Sequence, residues 1–137
     1  MEQRVGGKVR LEFRHSCIAP AESQPEEYIK AHEGGHAFDG IVTRREPPHL
    51  LAFTFGSDGE SEAMFQLTPQ GKDVLLVLTH RSTGGDLPYM HEFASGWHTH
   101  VAQLLALLLE GTPPPPFWPI FMKLKPEYEK DRIVAQS

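Results

Sequence analysis

The sequence predicts an α+β domain in which five antiparallel strands precede one long helix. Short segments alternate between apolar and polar residues through the first two-thirds of the chain, and this two-residue period indicates strands. Gly, Pro and Asp separate these segments, as in turns. A run with helical apolar spacing then follows. We expect one domain over residues 1–137, with a core over 5–111 and a Pro-rich, aromatic tail over 112–137.

Five segments carry the strand pattern. They are residues 8–15, 36–46, 50–55, 62–68 and 74–80. The second segment contains Gly40, which predicts a bulge or a close approach of the backbone. The fifth is almost entirely apolar, which favours a central strand covered on one face by the helix. Residues 16–35 lose the pattern and indicate a long connection, with a helical turn over 26–31.

The predicted long helix begins near residues 87–91 and ends near Glu110. Its apolar residues recur every three or four positions and form one stripe: Phe93, Trp97, Val101, Leu104, Leu105 and Leu108. Gly111 is well placed to end the helix in a left-handed conformation, and the prolines at 113–116 prevent continuation. Pro126 then predicts the start of a short second helix over residues 127–134.

Composition excludes several classes of function. The formal net charge of −5 does not fit a nucleic-acid-binding domain. A single cysteine, Cys17, rules out an intrachain disulfide and fits a reducing compartment. The start of the chain does not resemble a signal peptide, and the apolar run over 104–109 is too short to cross a bilayer. We therefore expect a soluble, cytoplasmic protein without nucleic-acid or membrane partners.

The polar residues do not form a recognisable catalytic or metal-binding motif. His98 and His100 point to different sides of a helix, and His91 and His98 lie too far apart to share one ion. His32 and His36 have suitable spacing, but the intervening glycines argue against a helix. Asp39, within a strand, is either a buried functional acid with a raised pKa or a residue of the solvent-exposed face. We expect no cofactor, no metal and no catalytic residue.

Several short motifs occur in a consistent order along the chain. They are Gly6-Gly7-Lys8 before the first strand, the segment 40–50 (GIVTRREPPHL), Leu78-Thr79-His80, and Gly96-Trp97-His98 leading through Leu104 and Leu108 to Gly111. This set resembles the SRPBCC or START-like superfamily, which has the helix-grip fold of the major birch-pollen allergen. Within it, the set is similar to bacterial homologues of the activator of heat-shock-protein ATPase. The Tyr128-x-x-x-Arg132 pattern in the tail is also similar.

The resemblance implies a helix-grip fold with one departure. Family members carry a strand and a pair of short helices before the Gly-Gly strand, whereas only residues 1–5 precede it in this sequence. The sheet is therefore expected to lack its usual first strand and to present an open edge. Open edges pair readily with other strands, so we expect a homodimer through that edge.

The resemblance implies a fold and a cavity between the sheet and the long helix, but no particular reaction. We expect a non-catalytic domain that binds a small hydrophobic ligand in this cavity. A stress-related accessory role is compatible with the family name. An apolar pocket with few polar groups is the usual form of such a site. The expected cavity-lining residues are Phe13, Asp39, Phe53, Phe65, Val77, Trp97, Val101 and Leu104. Two alternatives remain open: a protein-interaction module of the co-chaperone type, and a cyclase- or hydrolase-like enzyme.

Overall fold

A computed structural model describes the backbone of residues 1–13, 36–55, 61–84 and 87–135. The chain forms two compact units. The sheet unit comprises Met1–Glu12 and Ala37–Pro88, and the described helices belong to the helical unit. The predicted connection over residues 16–35, together with Cys17 and His32, lies outside the described residues.

The sheet contains the five predicted strands, which confirms the expected antiparallel sheet. They are β1 (Lys8–Phe13), β2 (His36–Glu46), β3 (Leu50–Phe55), β4 (Ser61–Gln70) and β5 (Asp73–Ser82). They lie in the order β1-β2-β3-β4-β5, so each strand is next to its neighbour in sequence. The pairs β2–β3, β3–β4 and β4–β5 are antiparallel.

Gly40 lies at a close approach of β2 to β3. A Cβ atom at this position would overlap the carbonyl oxygen of Thr54, so a larger residue would push the strands apart. The Thr54 hydroxyl also accepts a hydrogen bond from the Ile41 N–H at 2.8 Å. The register shift itself lies farther along β2, between Val42 and Arg44. Gly40 thus marks a close approach, one of the two features that the sequence predicts there.

The position of β5 differs from the expectation of a central strand. Within the described sheet β5 pairs with β4 alone and forms an edge. Three of its apolar side chains are exposed: Val74 by 63%, Leu75 by 42% and Val77 by 40%. An apolar run can mean burial on both faces or an exposed apolar edge, and local composition does not separate the two.

The first described helix, α1, spans Met90–Leu105 and follows a 3₁₀ turn at Leu87–Tyr89. A π-helical turn, Ala106–Glu110, extends it. Gly111 then takes the left-handed conformation with φ 63°. This confirms the predicted end of the helix, since glycine adopts that conformation without a Cβ clash.

The second helix, α2, spans Phe117–Ala135 and contains Pro126 in its interior. The prediction of a short helix starting after Pro126 is therefore wrong. The earlier half carries three almost fully buried rings, Phe117, Trp118 and Phe121, whose centroids lie 5.0–5.5 Å apart. Packing of these rings favours a helix that begins at Phe117 and continues through the proline, because tertiary packing overrides the local preference.

Candidate functional site

One face of the sheet is apolar across at least four strands. Directly opposed residues of antiparallel strands lie on the same face, and the register links Val42 to Phe53, Phe53 to Ala63, and Phe65 to Leu78. Leu51 opposes Phe65 and joins the same face. We call this set the apolar face: Val42, Leu51, Phe53, Ala63, Phe65 and Leu78. Val42 and Ala63 are buried, and Phe65 remains half-buried.

Two aromatic rings form the centre of the apolar face. Phe53 and Phe65 lie on adjacent strands and stack with their centroids 5.9 Å apart and an angle of 25° between the rings. Phe53 is only 5% exposed. The pair therefore forms a flat apolar platform, with the inner ring almost fully buried and the outer ring half-buried.

Polar groups lie on the same face beyond Ala63. His80 opposes Ala63, and Ser61 opposes Ser82. Ser61 is 1% exposed, whereas His80 and Ser82 are half-buried. An apolar platform bordered by a few hydroxyl and imidazole groups can hold an apolar molecule that carries one polar end.

The opposite face of the sheet is mixed, with the buried Ala52 and Met64 next to several charged side chains. Arg10 donates two hydrogen bonds to the Asp39 carboxylate, at 2.9 and 3.0 Å. The Thr43 hydroxyl donates to Glu62 at 2.8 Å. The Asp39 side chain is 74% exposed, so its ion pair lies in water and contributes little to stability.

Helix α1 has two contrasting faces. Ser95, Thr99 and Gln103, at successive spacings of four, are its buried residues. They lie about 180° around the helix from the apolar stripe. Along that stripe, Trp97 and Val101 are half-buried, and the exposed fraction reaches 43% at Leu104 and 68% at Leu108. This polar buried face was not predicted from the sequence, although its four-residue spacing is visible there.

Helix α2 covers this polar face of α1. His98 Nδ1 and the Tyr128 hydroxyl are hydrogen-bonded at 2.8 Å, and His91 Nε2 lies 3.5 Å from Glu129. On the other flank Lys125 lies 3.7 Å from Glu92. Between these contacts the Ser95 and Thr99 hydroxyls donate to backbone carbonyls one turn earlier, at 2.7 Å each. This satisfies both buried hydroxyls within the helix and allows α2 to pack closely.

Gln103 connects α1 to the proline segment that precedes α2. Its amide nitrogen donates to the Pro115 carbonyl at 2.9 Å, and its amide oxygen lies 3.2 Å from His100 Nδ1. In this orientation Nδ1 is the protonated nitrogen of a neutral His100 ring. Burial lowers the pKa of His100 below its ordinary value, and the hydrogen bond to Gln103 only partly opposes this shift.

Only some of the sheet residues that the sequence places in one cavity share a face of the sheet. Phe53 and Phe65 lie together on the apolar face, whereas Val77 opposes Gln66 and lies on the other face. Asp39 lies three residues before Val42 in β2 and therefore on the opposite face of the sheet. Its side chain is exposed and pairs with Arg10. Trp97, Val101 and Leu104 belong to α1 in the helical unit. The Phe13 side chain lies outside the described residues.

The histidines that suggest a metal site make other contacts. His98 bonds to Tyr128, and His91 approaches Glu129. Among the described side chains, no group of three or more His, Cys, Asp or Glu residues could hold a metal ion. In the same part of the chain, no helix is both long enough and apolar enough to cross a membrane.

Comparisons with known proteins place this fold among solved structures. The solution NMR structure of the protein encoded by gene BPP1335 from Bordetella parapertussis aligns with a TM-score of 0.71 and 36% identity, covering 94% of this chain and 67% of that chain. CalU16 from Micromonospora echinospora aligns in its solution NMR structure with a TM-score of 0.59 and 23% identity, covering 77% of this chain and 68% of that chain. Its crystal structure aligns with a TM-score of 0.55 and 21% identity, covering 90% and 85%. The likeness to CalU16 is one of fold.

The five-stranded antiparallel sheet, the helices and the structural likeness define a START-like α+β domain with the helix-grip fold. The sequence model of the family described as Activator of Hsp90 ATPase homolog 1-like protein matches residues 1–109. The chain belongs to this family, which confirms the resemblance seen in the sequence. A search of curated proteins finds no match.

Proposed function

We propose that this protein is a non-catalytic START-like domain that binds a small hydrophobic molecule on the apolar face of its sheet. The observation that carries the proposal is the stacked pair of Phe53 and Phe65, whose outer ring remains half-buried. The surrounding residues of that face are aliphatic, and the polar residues Ser61 and His80 lie at one end. A flat, apolar platform next to hydroxyl and imidazole groups suits an amphipathic molecule, such as a fatty acid or a polyketide.

The aromatic tail gives less support to the alternative of a protein-interaction module. Trp118 and Phe121 are 6% and 5% exposed, and Tyr128 is bonded to His98. These side chains are occupied within the helical unit. Surfaces that bind a partner protein are enriched in aromatic anchors, and the described aromatic side chains of the tail do not supply exposed ones.

The proposal is tested by loading the purified protein with palmitic acid and measuring the retained fraction by native mass spectrometry. We expect Phe65→Ala to reduce the retained fraction strongly, because this change removes the half-buried outer ring of the platform. Val77→Ala is the matched control, since it truncates an apolar side chain of the opposite face. We expect it to bind palmitic acid as the wild type does.

Circular dichroism must show that both variants are folded. Equal retention by the wild type and Phe65→Ala would refute the platform as the binding surface. If neither palmitic acid nor a total lipid extract leaves a retained molecule on the wild type, hydrophobic ligand binding itself is refuted.

A further inference from the structure

We propose that β5 is an interaction surface for a second copy of this chain, with the sheet continuing from one copy into the other. Strand β5 is ten residues long and, within the described sheet, pairs only on the side of β4. Its other side presents backbone N–H and C=O groups of the kind that a further strand can pair with. Association of two copies through β5 does not require a bound ligand.

The edge lacks the features that commonly prevent association. Sheet edges are usually protected by proline, lysine, a bulge or a short strand. The strand interior, residues 74–80, contains neither proline nor a lysine or arginine, and its register with β4 is regular from end to end. Val74, Leu75 and Val77 are also exposed there. A long, regular and apolar edge of this kind favours pairing with another strand.

The charges at the two ends of β5 indicate which partner fits. Asp73 begins the strand, and Arg81 lies eight residues later on the same face. Both side chains are exposed, and neither forms an ion pair with any described residue. Two antiparallel copies of β5 related by a two-fold axis at Val77 would place Asp73 of each copy opposite Arg81 of the other.

This register also matches the residues between the charges. Leu75 would oppose Thr79 of the second copy, and Val77 would oppose itself, so part of the exposed apolar surface of β5 would be covered. A two-fold axis one residue away, at Leu76 or Leu78, would place Asp73 opposite an uncharged residue and leave both charges unpaired. The sequence of β5 is therefore complementary to itself in one register, which favours a second copy over an unrelated strand.

The test is sedimentation velocity of the wild-type chain and of four charge variants. Each is measured over a range of protein concentrations, from dilute solution to those used for NMR. We expect the wild type to dimerise. Asp73→Arg and Arg81→Asp each bring like charges together at both ends of the interface and should raise the dimer Kd roughly tenfold or more. The double variant D73R/R81D restores opposite charges and should return to the wild-type Kd. Asp131→Arg, an equal charge change on the exposed surface of α2, should leave the Kd unchanged.

A second measurement reports the pairing directly. In the dimer, the outward-facing amides of β5 should be protected from hydrogen exchange in a concentration-dependent manner, and Val77→Lys should abolish this protection because two lysines would then face each other. A wild type that remains monomeric at every concentration would overturn the proposal. A dimer whose Kd does not respond to either single swap, or that the double variant does not restore, would overturn the β5 register.

Discussion

At the scale of single residues, the space around two glycines determines how a substitution there would change the stability of the protein. Gly40 has no room for a Cβ atom because the Thr54 carbonyl occupies that space, whereas a Cβ atom at Gly96 would meet nothing within 4 Å. Gly40 lies in strand β2 and Gly96 in the interior of α1. The same substitution should therefore have opposite effects at the two positions.

We expect Gly40→Ala to lower the free energy of unfolding by about 2–3 kcal/mol, because the added methyl group must separate β2 from β3. Gly96→Ala is the matched comparison and should raise the free energy of unfolding by about 0.5–1 kcal/mol, since alanine favours the helix over glycine. Thermal unfolding followed by circular dichroism measures both. Equal stability of the Gly40 variant and the wild type would show that the strands are not in close contact there.

His100 is expected to make stability depend on pH. Burial lowers its pKa in the folded protein below the ordinary value of 6.5. As the pH falls through 6.5, the unfolded chain takes up a proton that the folded chain does not. The free energy of unfolding therefore decreases as the pH falls from 6.5 to the lower pKa that His100 has in the folded protein. Below that pKa, His100 no longer changes the stability.

Urea unfolding at a series of pH values between neutral and mildly acidic tests this expectation. His100→Gln removes the titrating ring and should show a smaller loss of stability on acidification than the wild type. His49→Gln serves as the control because His49 is exposed, and it should retain the wild-type slope. Identical slopes for the His100 variant and the wild type would contradict a lowered pKa.

At the scale of secondary-structure elements, α2 is held by its aromatic first half. The Phe121 ring lies 5.5 Å from both the Phe117 and Trp118 rings and is 5% exposed. Polar contacts such as His98–Tyr128 lie nearer the surface and orient the helix. The Phe117 ring also lies 5.0 Å from the His100 ring of α1, so burial of the aromatic rings contributes to the contact between the two helices.

We expect Phe121→Ala to lower the free energy of unfolding of the helical unit by about 3–5 kcal/mol, because it leaves a cavity among the rings. The measurement is urea unfolding followed by tryptophan fluorescence, since Trp97 and Trp118 both belong to this unit. Met122→Ala, on the adjacent and exposed position, should differ from the wild type by about 0.5 kcal/mol or less. Similar losses for both variants would mean that the aromatic cluster is not the main contact.

At the scale of the whole molecule, the two proposed activities use different parts of one sheet. The platform of Phe53 and Phe65 lies on the apolar face, while the proposed contact between copies follows the β5 edge with Val77 on the opposite face. The two activities should therefore be separable by mutation.

We expect Val77→Lys to abolish dimerisation while retaining palmitic acid as the wild type does. Phe65→Ala should show the reverse pattern, with lost retention and an unchanged dimer Kd. Sedimentation velocity and native mass spectrometry on the same two preparations provide the comparison. Loss of both activities in either variant would show that the sheet edge and the platform are coupled.

Much of the fold follows from sequence alone. Alternation and turn residues identify all five strands, and the three- and four-residue spacing identifies α1. Gly111 marks its end through the left-handed conformation that the structure shows. These features depend on residues close together in the chain, so local periodicity is sufficient to recognise them. The motif order likewise identifies the family, whose model matches residues 1–109.

Tertiary structure alone decides which faces and edges are used. The stripe of α1 predicts its apolar side, yet the fully buried residues are Ser95, Thr99 and Gln103, because α2 covers the opposite side. The composition of strand β5 predicts a central strand, whereas β5 lies at the edge of the described sheet. Val77 and Phe65, which were expected to line one cavity, lie on opposite faces of the sheet. Periodicity defines the faces of an element, but the elements that pack against it determine which face is buried.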